Sequence, residues 1–328
     1  MRNAVIHSSG MFVPERVIKN EYFDELLGEN VSDWLSEHVK IYERRWCAED
    51  ESTADLAFKA AETAMKNGNV SPDEIDLLIV ATDTPEYISP STASKLQHLL
   101  KMKNAGTFDI NTACAGFVTA IDTAVKYITA DQNYNTVMVI GVYAMSKFLN
   151  LADKKTVNLF ADGAGCMILK SSENKKGYLA SKLLTKGEYY DYMGIYAGGT
   201  KTPIDKEVLE NKKHLLTIAK KFPPELNPQM WSSIVHELSK DSGVNIEDVD
   251  MFLFTQININ SIWETMDLLG LPREKAQTSM HNYGYTGSAC IPISFEDALS
   301  QGKIKRGDTI FMVGSGGGLA FAGAAFKY

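Results

Sequence analysis

A chain of 328 residues that is 45% apolar can bury the core of one large or two ordinary domains, which excludes a disordered or low-complexity protein. The net charge of −8 weighs against a nucleic-acid or anionic-membrane surface and points to small molecules or proteins as partners. Cys47, Cys114, Cys166 and Cys290 lie far apart without a C-x-x-C pair, so neither a disulfide framework nor a zinc site is indicated and reduced thiols are expected. The opening "MRNAVIHSSGMFVPE" lacks the apolar core of a signal peptide, and no run approaches the ~18 apolar residues of a membrane span. The expected location is cytoplasmic.

In chain order, "SPDEIDLLIVATDT" (71–84) reads as an acidic stretch entering a buried strand. "DINTACAGFVTAIDTA" (109–124) follows, a strand-like run that ends in Asn-Thr-Ala and turns helical just after the single Cys114. Helix N-termini carry free N–H groups and a positive dipole end, which lowers the pKa of a thiol placed there and enriches the nucleophilic thiolate. Gly116 permits close backbone approach, and Ala113 and Ala115 leave room for a substrate. The same stretch also suits a small, inert core cysteine. "NTVMVIG" (135–141) is a strand covered on both faces, and "FADGAGCMIL" (160–169) reads as a turn between strands.

Residues 171–230 carry Gly, Pro and Lys clusters such as "YAGGTKTPIDKE" and "KKFPPELNP", and read as an inserted cap or loop region. Within it "KKHLLTIAKKF" (212–222) suits a short amphipathic helix with a basic, solvated face. Beyond it the chain echoes itself. "NIEDVDMFLFTQIN" (245–258) matches 71–84 and "DTIFMVG" (308–314) matches 135–141, at offsets of 173–174 residues. Strands alternating with helical patterns and recurring at one offset predict an α/β protein of two duplicated halves, 1–170 and 171–328, packed about a pseudo-twofold axis. The helices beginning near Cys114 and near Tyr285-Thr286 then approach one central region. The terminal "FMVGSGGGLAFAGAAF" places Gly314, Gly316, Gly317 and Gly318 after a buried strand. Such bare backbone suits either donors to a developing oxyanion, each worth roughly 10²–10³ in rate, or a plain tight turn; with no Lys-Ser/Thr following, it is a poor phosphate loop.

"DINTACAGF", "LFADGAG", "TQIN", "NYGYTGSACIPI" and "GSGGG", in this order and spacing, resemble the β-ketoacyl-acyl-carrier-protein synthase III family of the thiolase superfamily over essentially the whole chain. The resemblance implies a thiolase-like five-layered α/β/α/β/α fold, a homodimer, and an acyl group taken from acyl-CoA or acyl-carrier protein onto Cys114, with no metal or redox cofactor. It assigns the oxyanion donors to the N–H groups of Cys114 and Gly317. The family's catalytic His and Asn are replaced here by Thr255 and Tyr285, hydroxyls that lack an imidazole's proton-transfer capacity near neutrality. Tyr285 is then a candidate to orient or deprotonate an acceptor. His281 is expected to be a satisfied histidine rather than a substitute imidazole.

For substrate binding the resemblance implies Trp34 against a CoA adenine, with His38 and Lys154 where arginines are usual, and Asn260 in place of a basic carrier-protein contact. Phe117 and Asn258 join this set. Ser89 falls where a residue reaches across the dimer to close the acyl pocket; so small a side chain predicts medium or long acyl chains, whereas Ile88, one residue away, would predict the reverse. The first expectation is an acyltransferase of fatty-acid or polyketide-type metabolism, passing the acyl group from Cys114 to an alcohol, amine or thiol. The rivals are true decarboxylative condensation with malonyl-carrier protein using Thr255, Tyr285 and Asn258, and a non-catalytic partner subunit of an active ketosynthase.

Overall fold

The computed structural model describes residues 2–173 and 176–328. The continuous apolar runs became strands buried along their whole length: Leu77–Ala81, Thr136–Ala144, Met251–Phe254 and Thr309–Gly316. A strand with no solvent face needs cover on both sides, and two five-stranded sheets with helices on every face supply it.

The first sheet runs in the spatial order Asn3–Phe12, Asp162–Ser172, Thr136–Ala144, Leu77–Ala81, Gly106–Ile110. The second runs Tyr178–Thr185, Ala320–Lys327, Thr309–Gly316, Met251–Phe254, Ala276–Gln277. Counted in chain order within each sheet, both orders are first, fifth, fourth, second, third. The two pairings on the first-strand side are antiparallel and the two on the other side parallel, in both sheets. Two sheets sharing one order and one pattern of direction are what a duplicated unit would build.

Helices Gly116–Ala130 and Cys290–Ser300 touch both sheets and form the middle layer. Thr53–Gly68 and Thr92–Leu99 cover the outer face of the first sheet; Leu226–Ser242 covers the second, with Ile259–Leu268 packed against it. The order of layers is therefore α/β/α/β/α. Glycine lets the middle layer seat closely, since a Cβ at Gly163 would stand 2.9 Å from the Ile293 side chain.

Three expectations are corrected. "FADGAGCMIL" is no turn: Asp162–Ser172 is a strand paired on both edges, its glycines lying under Pro292 and Ile293. Nor is 171–230 all cap, because Tyr178–Thr185 is the edge strand of the second sheet and Leu226 already opens a long helix. Residues 212–222 form no helix. Asp205 caps a helix one element earlier, Lys206–Glu210, and Thr217–Ile218 instead pairs antiparallel with Met193–Gly194. Among the described residues no helix is long and apolar enough to cross a membrane.

Candidate active site

Cys114 sits on a tight turn between a strand and a central helix. Strand Gly106–Ile110 ends at Asn111, whose Oδ1 accepts from the Ala113 N–H at 3.0 Å. Ala113 takes a left-handed φ of 45°, a conformation costing a non-glycine residue about 1–3 kcal/mol. The Ala115 and Gly116 N–H groups then bond back to Thr112 and Ala113 carbonyls at 3.2 and 2.8 Å, and the helix begins. Gly316 presses on this turn: a Cβ there would stand 2.6 Å from the Cys114 nitrogen and 2.8 Å from that of Ala115. The glycine run thus first serves to bring the second sheet against the cysteine.

Two cavities meet at Cys114. The outer one, about 430 Å³, runs from Trp34 and His38 past Phe222, Ile257 and Asn258 to Tyr285. Trp34 is 51% exposed and stacks on His38 with ring centres 6.2 Å apart. The inner one, about 240 Å³, is lined by Asp83, Asn111, Tyr143, Met145 and Tyr196 among others. Cys114, Met193 and Gly317 line both. Gly317, which the family resemblance makes an oxyanion donor, thus borders the same two cavities as Cys114.

Tyr285 joins the site from the other half. Its N–H donates to Leu159 O and its carbonyl accepts from Ala161 N–H, both at 2.9 Å, and its ring lies 5.4 Å from that of Phe160. This bridge across the halves brings the hydroxyl up to the Cys114 sulfur, whose anion it favours. Burial pushes the Cys114 thiol well up; the Asp83 carboxyl adds to this and the Tyr285 hydrogen bond opposes it. The expectation of a thiol lowered by a helix terminus is thereby corrected: the resting group is a protonated thiol, because desolvation of the anion dominates. Burial also raises the Tyr285 hydroxyl, so it serves as a donor and not as a base.

The other sequence candidates divide. Asn258 lines the outer cavity and caps helix Ile259–Leu268, its Oδ1 accepting from the Asn260 N–H at 3.0 Å. Asn260 lines the same cavity and donates to the His38 carbonyl at 3.2 Å. Thr255 is not in the site. Buried behind the floor, its Oγ1 accepts from Ser315 N–H at 2.8 Å and donates to Ser315 O at 3.3 Å, leaving no hydroxyl for a substrate. Phe117 is likewise misplaced by sequence: it is wholly buried in the core under Gly141, outside both cavities. Ser89 lies on an exposed loop beside Ile88, also outside them, so within one chain it does not set cavity depth. Lys154 is away from the outer cavity and pairs with Glu29 at 3.0 Å. His281 is structural, Nδ1 bonding Lys40 O at 2.6 Å and Nε2 bonding Thr278 Oγ1 at 3.1 Å.

Sequence reasoning missed Asp83. It directly follows the run "LLIVAT", and groups at the C-terminal ends of parallel strands are where open α/β sheets place ligands. That position was the available signal.

A duplicated five-layer α/β architecture with a cysteine at the start of a central helix defines a thiolase-like fold. The same conclusion comes from known structures: 3-oxoacyl-[acyl-carrier-protein] synthase III from Aquifex aeolicus superposes with a TM-score of 0.89 at 31% identity, covering 99% of this chain and 100% of its own. The corresponding protein from Pseudomonas aeruginosa gives 0.91 at 25% identity, covering 99% and 98%. Family models described as 3-oxoacyl-[acyl-carrier-protein] synthase III and its C-terminal region match residues 108–187 and 239–328. A β-ketoacyl-[acyl-carrier-protein] synthase III of Clostridium perfringens is 36% identical over 327 residues, all of both chains, and one of Clostridium acetobutylicum is 35% identical over 100% of this chain and 99% of its own. The chain belongs to the 3-oxoacyl-[acyl-carrier-protein] synthase III family.

Proposed function

We propose that this protein is an acyltransferase in which Cys114 takes an acyl group from an acyl-CoA or acyl-carrier-protein thioester and passes it to an acceptor. The observation that carries the reading is the position of Cys114 at the junction of two cavities, one of them also lined by Tyr285. The outer cavity, with Trp34 exposed at one end, suits a pantetheine arm entering from solvent. The inner one suits the acyl group, and the N–H groups of Cys114 and Gly317 suit the oxyanion formed between them. Relatives named β-ketoacyl-[acyl-carrier-protein] synthase III support a setting in fatty-acid or polyketide-type synthesis.

Transfer is favoured over condensation because Thr255, one of the two residues standing in for the family's acid-base pair, has its hydroxyl fully engaged by Ser315. We also propose a homodimer, which would cover the loop where Tyr87 and Ile88 are 51% and 85% exposed.

The test is intact-protein mass after incubation with acyl-CoA and acyl-carrier thioesters of graded chain length. One acyl increment is expected with a preferred donor and none in Cys114→Ala. Absence of any adduct across the panel would overturn the reading and return the chain to the role of a non-catalytic partner.

A further inference from the structure

We infer that Asp83 is the general base and acid of this site, exchanging a proton with the Cys114 sulfur across the inner cavity, directly or through one water. The inference rests on the acyl-enzyme reading above and supplies what that reading lacks. A buried, protonated thiol needs a proton acceptor before it can attack, and the family's imidazole position is occupied by Thr255, which faces elsewhere.

The geometry singles out Asp83. Its side chain and that of Cys114 line the same small cavity. Although the residue as a whole keeps some accessible surface, its Oδ1 is sealed from solvent and has no hydrogen-bond partner. A buried carboxylate oxygen without a donor is costly, and such groups are otherwise paired. No cation is there to pair with it: no Lys, Arg or His is among the described residues lining the cavity, whose titratable members besides Asp83 are Cys114, Tyr143, Tyr190 and Tyr196, and neither these nor the Asn111 amide bonds Oδ1. From the second half, Tyr285 and Cys290 are the titratable groups that act on Cys114. Burial raises the carboxyl to about 7, opposed by the hydrogen bond from its own backbone N–H, while Cys114, Tyr143 and Tyr285 are pushed well up. At neutral pH Asp83 is therefore the one group of this cluster able both to accept and to return a proton.

The proton balance closes over a cycle. The Cys114 S–H proton moves to the Asp83 carboxylate as Sγ bonds the thioester carbonyl carbon. The donor's C–S bond then breaks, and Asp83 returns the proton to the departing thiolate, which leaves as a thiol. In the second half Asp83 takes the proton of the acceptor as the acceptor attacks the acyl carbon. Cys114 Sγ leaves with its electron pair and recovers that proton from Asp83.

Iodoacetamide alkylation of Cys114 tests this without an acyl donor. The rate is followed by intact mass from acid to alkaline pH, with Cys114→Ala as background for the other buried thiols. If a carboxylate–thiol pair shares its proton with a thiolate–carboxylic acid form, the rate rises through about pH 7 to a plateau, then rises again where the thiol itself ionises. Asp83→Asn is expected to lose the plateau, the rate climbing without a step near pH 7 until the thiol itself ionises, and Asp83→Glu to restore it. Near-ultraviolet circular dichroism confirms that each variant is folded. An Asp83→Asn profile identical to that of the unaltered protein, or no neutral plateau in the unaltered protein, would overturn the inference. The two readings fail separately. Acylation that Asp83→Asn leaves unchanged sinks this one alone, whereas an intact plateau without any acyl adduct sinks the donor assignment.

Discussion

The second strand of each sheet leads into a polar loop at the same place in the repeated topology, and the two loops use their polar groups in opposite ways. After Met251–Phe254, Thr255 is bonded twice to Ser315, and Gln256 donates to the Phe254 and Gln277 carbonyls at 2.9 and 3.1 Å while accepting from Ser279 N–H at 2.8 Å. After Leu77–Ala81, the flanking Thr82 and Thr84 bond the backbone, Thr84 N–H to Thr82 Oγ1 at 3.0 Å and Ala144 N–H to Thr84 Oγ1 at 2.9 Å. Asp83 between them lines a cavity and keeps one buried carboxylate oxygen without a partner. One half has spent its hydrogen bonds on building the floor of the site. The other holds a reactive group in place through its neighbours. A duplicated fold therefore offers two equivalent strand ends, and chemistry can reside in either.

The contrast is sharpest in stability. The unfolded Asp83 carboxyl has its ordinary value of 3.8, and the folded one about 7. Below the first value both states are protonated and there is no cost. Between the two, the unfolded chain ionises while the folded one keeps its proton, so stability falls as pH rises; above about 7 the full penalty persists. Asp83→Asn should then stabilise the fold well above pH 7, by roughly 2–4 kcal/mol, and leave it unchanged near pH 4. Thermal unfolding at the two pH values checks this, and an equal shift at both would show that Asp83 is no strained acid. The next largest effect is on rate. Tyr285→Phe removes the hydroxyl that favours the Cys114 thiolate, and a hydrogen bond to a charged group is worth ~1.5–3 kcal/mol. Cysteine acylation should slow roughly 10- to 100-fold while the ring keeps its contact with Phe160. Unchanged acylation kinetics would remove Tyr285 from the machinery.

Periodicity made the framework legible. The buried runs at 77–81, 136–144 and 309–316 and the recurring offset carried the sheets and their duplication, and the motif around Cys114 carried that residue's place at the junction of the two cavities. What sequence did not carry were side-chain destinations. Thr255 stands in a motif position and turns to the backbone of Ser315; Phe117 follows the nucleophile by three residues, yet helical rotation sends it into the core. The edge strand Tyr178–Thr185 was hidden because alternating, half-exposed residues next to Lys and Gly look like loop. Nor did helix position reveal the state of Cys114, which is set by burial among residues from both halves.

The smallest predicted effect separates the two loops most cleanly, because it concerns a residue that motif position alone would call catalytic. Thr255→Val preserves shape but removes the acceptor for the Ser315 N–H and the donor to its carbonyl. An unsatisfied buried group of this kind costs about 1–3 kcal/mol, so chemical denaturation should show a loss of that size. Ser315 immediately precedes the Gly316 that presses on the Cys114 turn, but that contact is fixed by the strand pairing of Ser315 with Phe321 and Gly316 with Ala320. With the ladder intact, the rate of Cys114 acylation in the folded fraction should change by no more than a few-fold, and its pH dependence not at all. A loss of rate with unaltered stability would reverse the assignment, making Thr255 the reactive partner and restoring the second half as the seat of the chemistry.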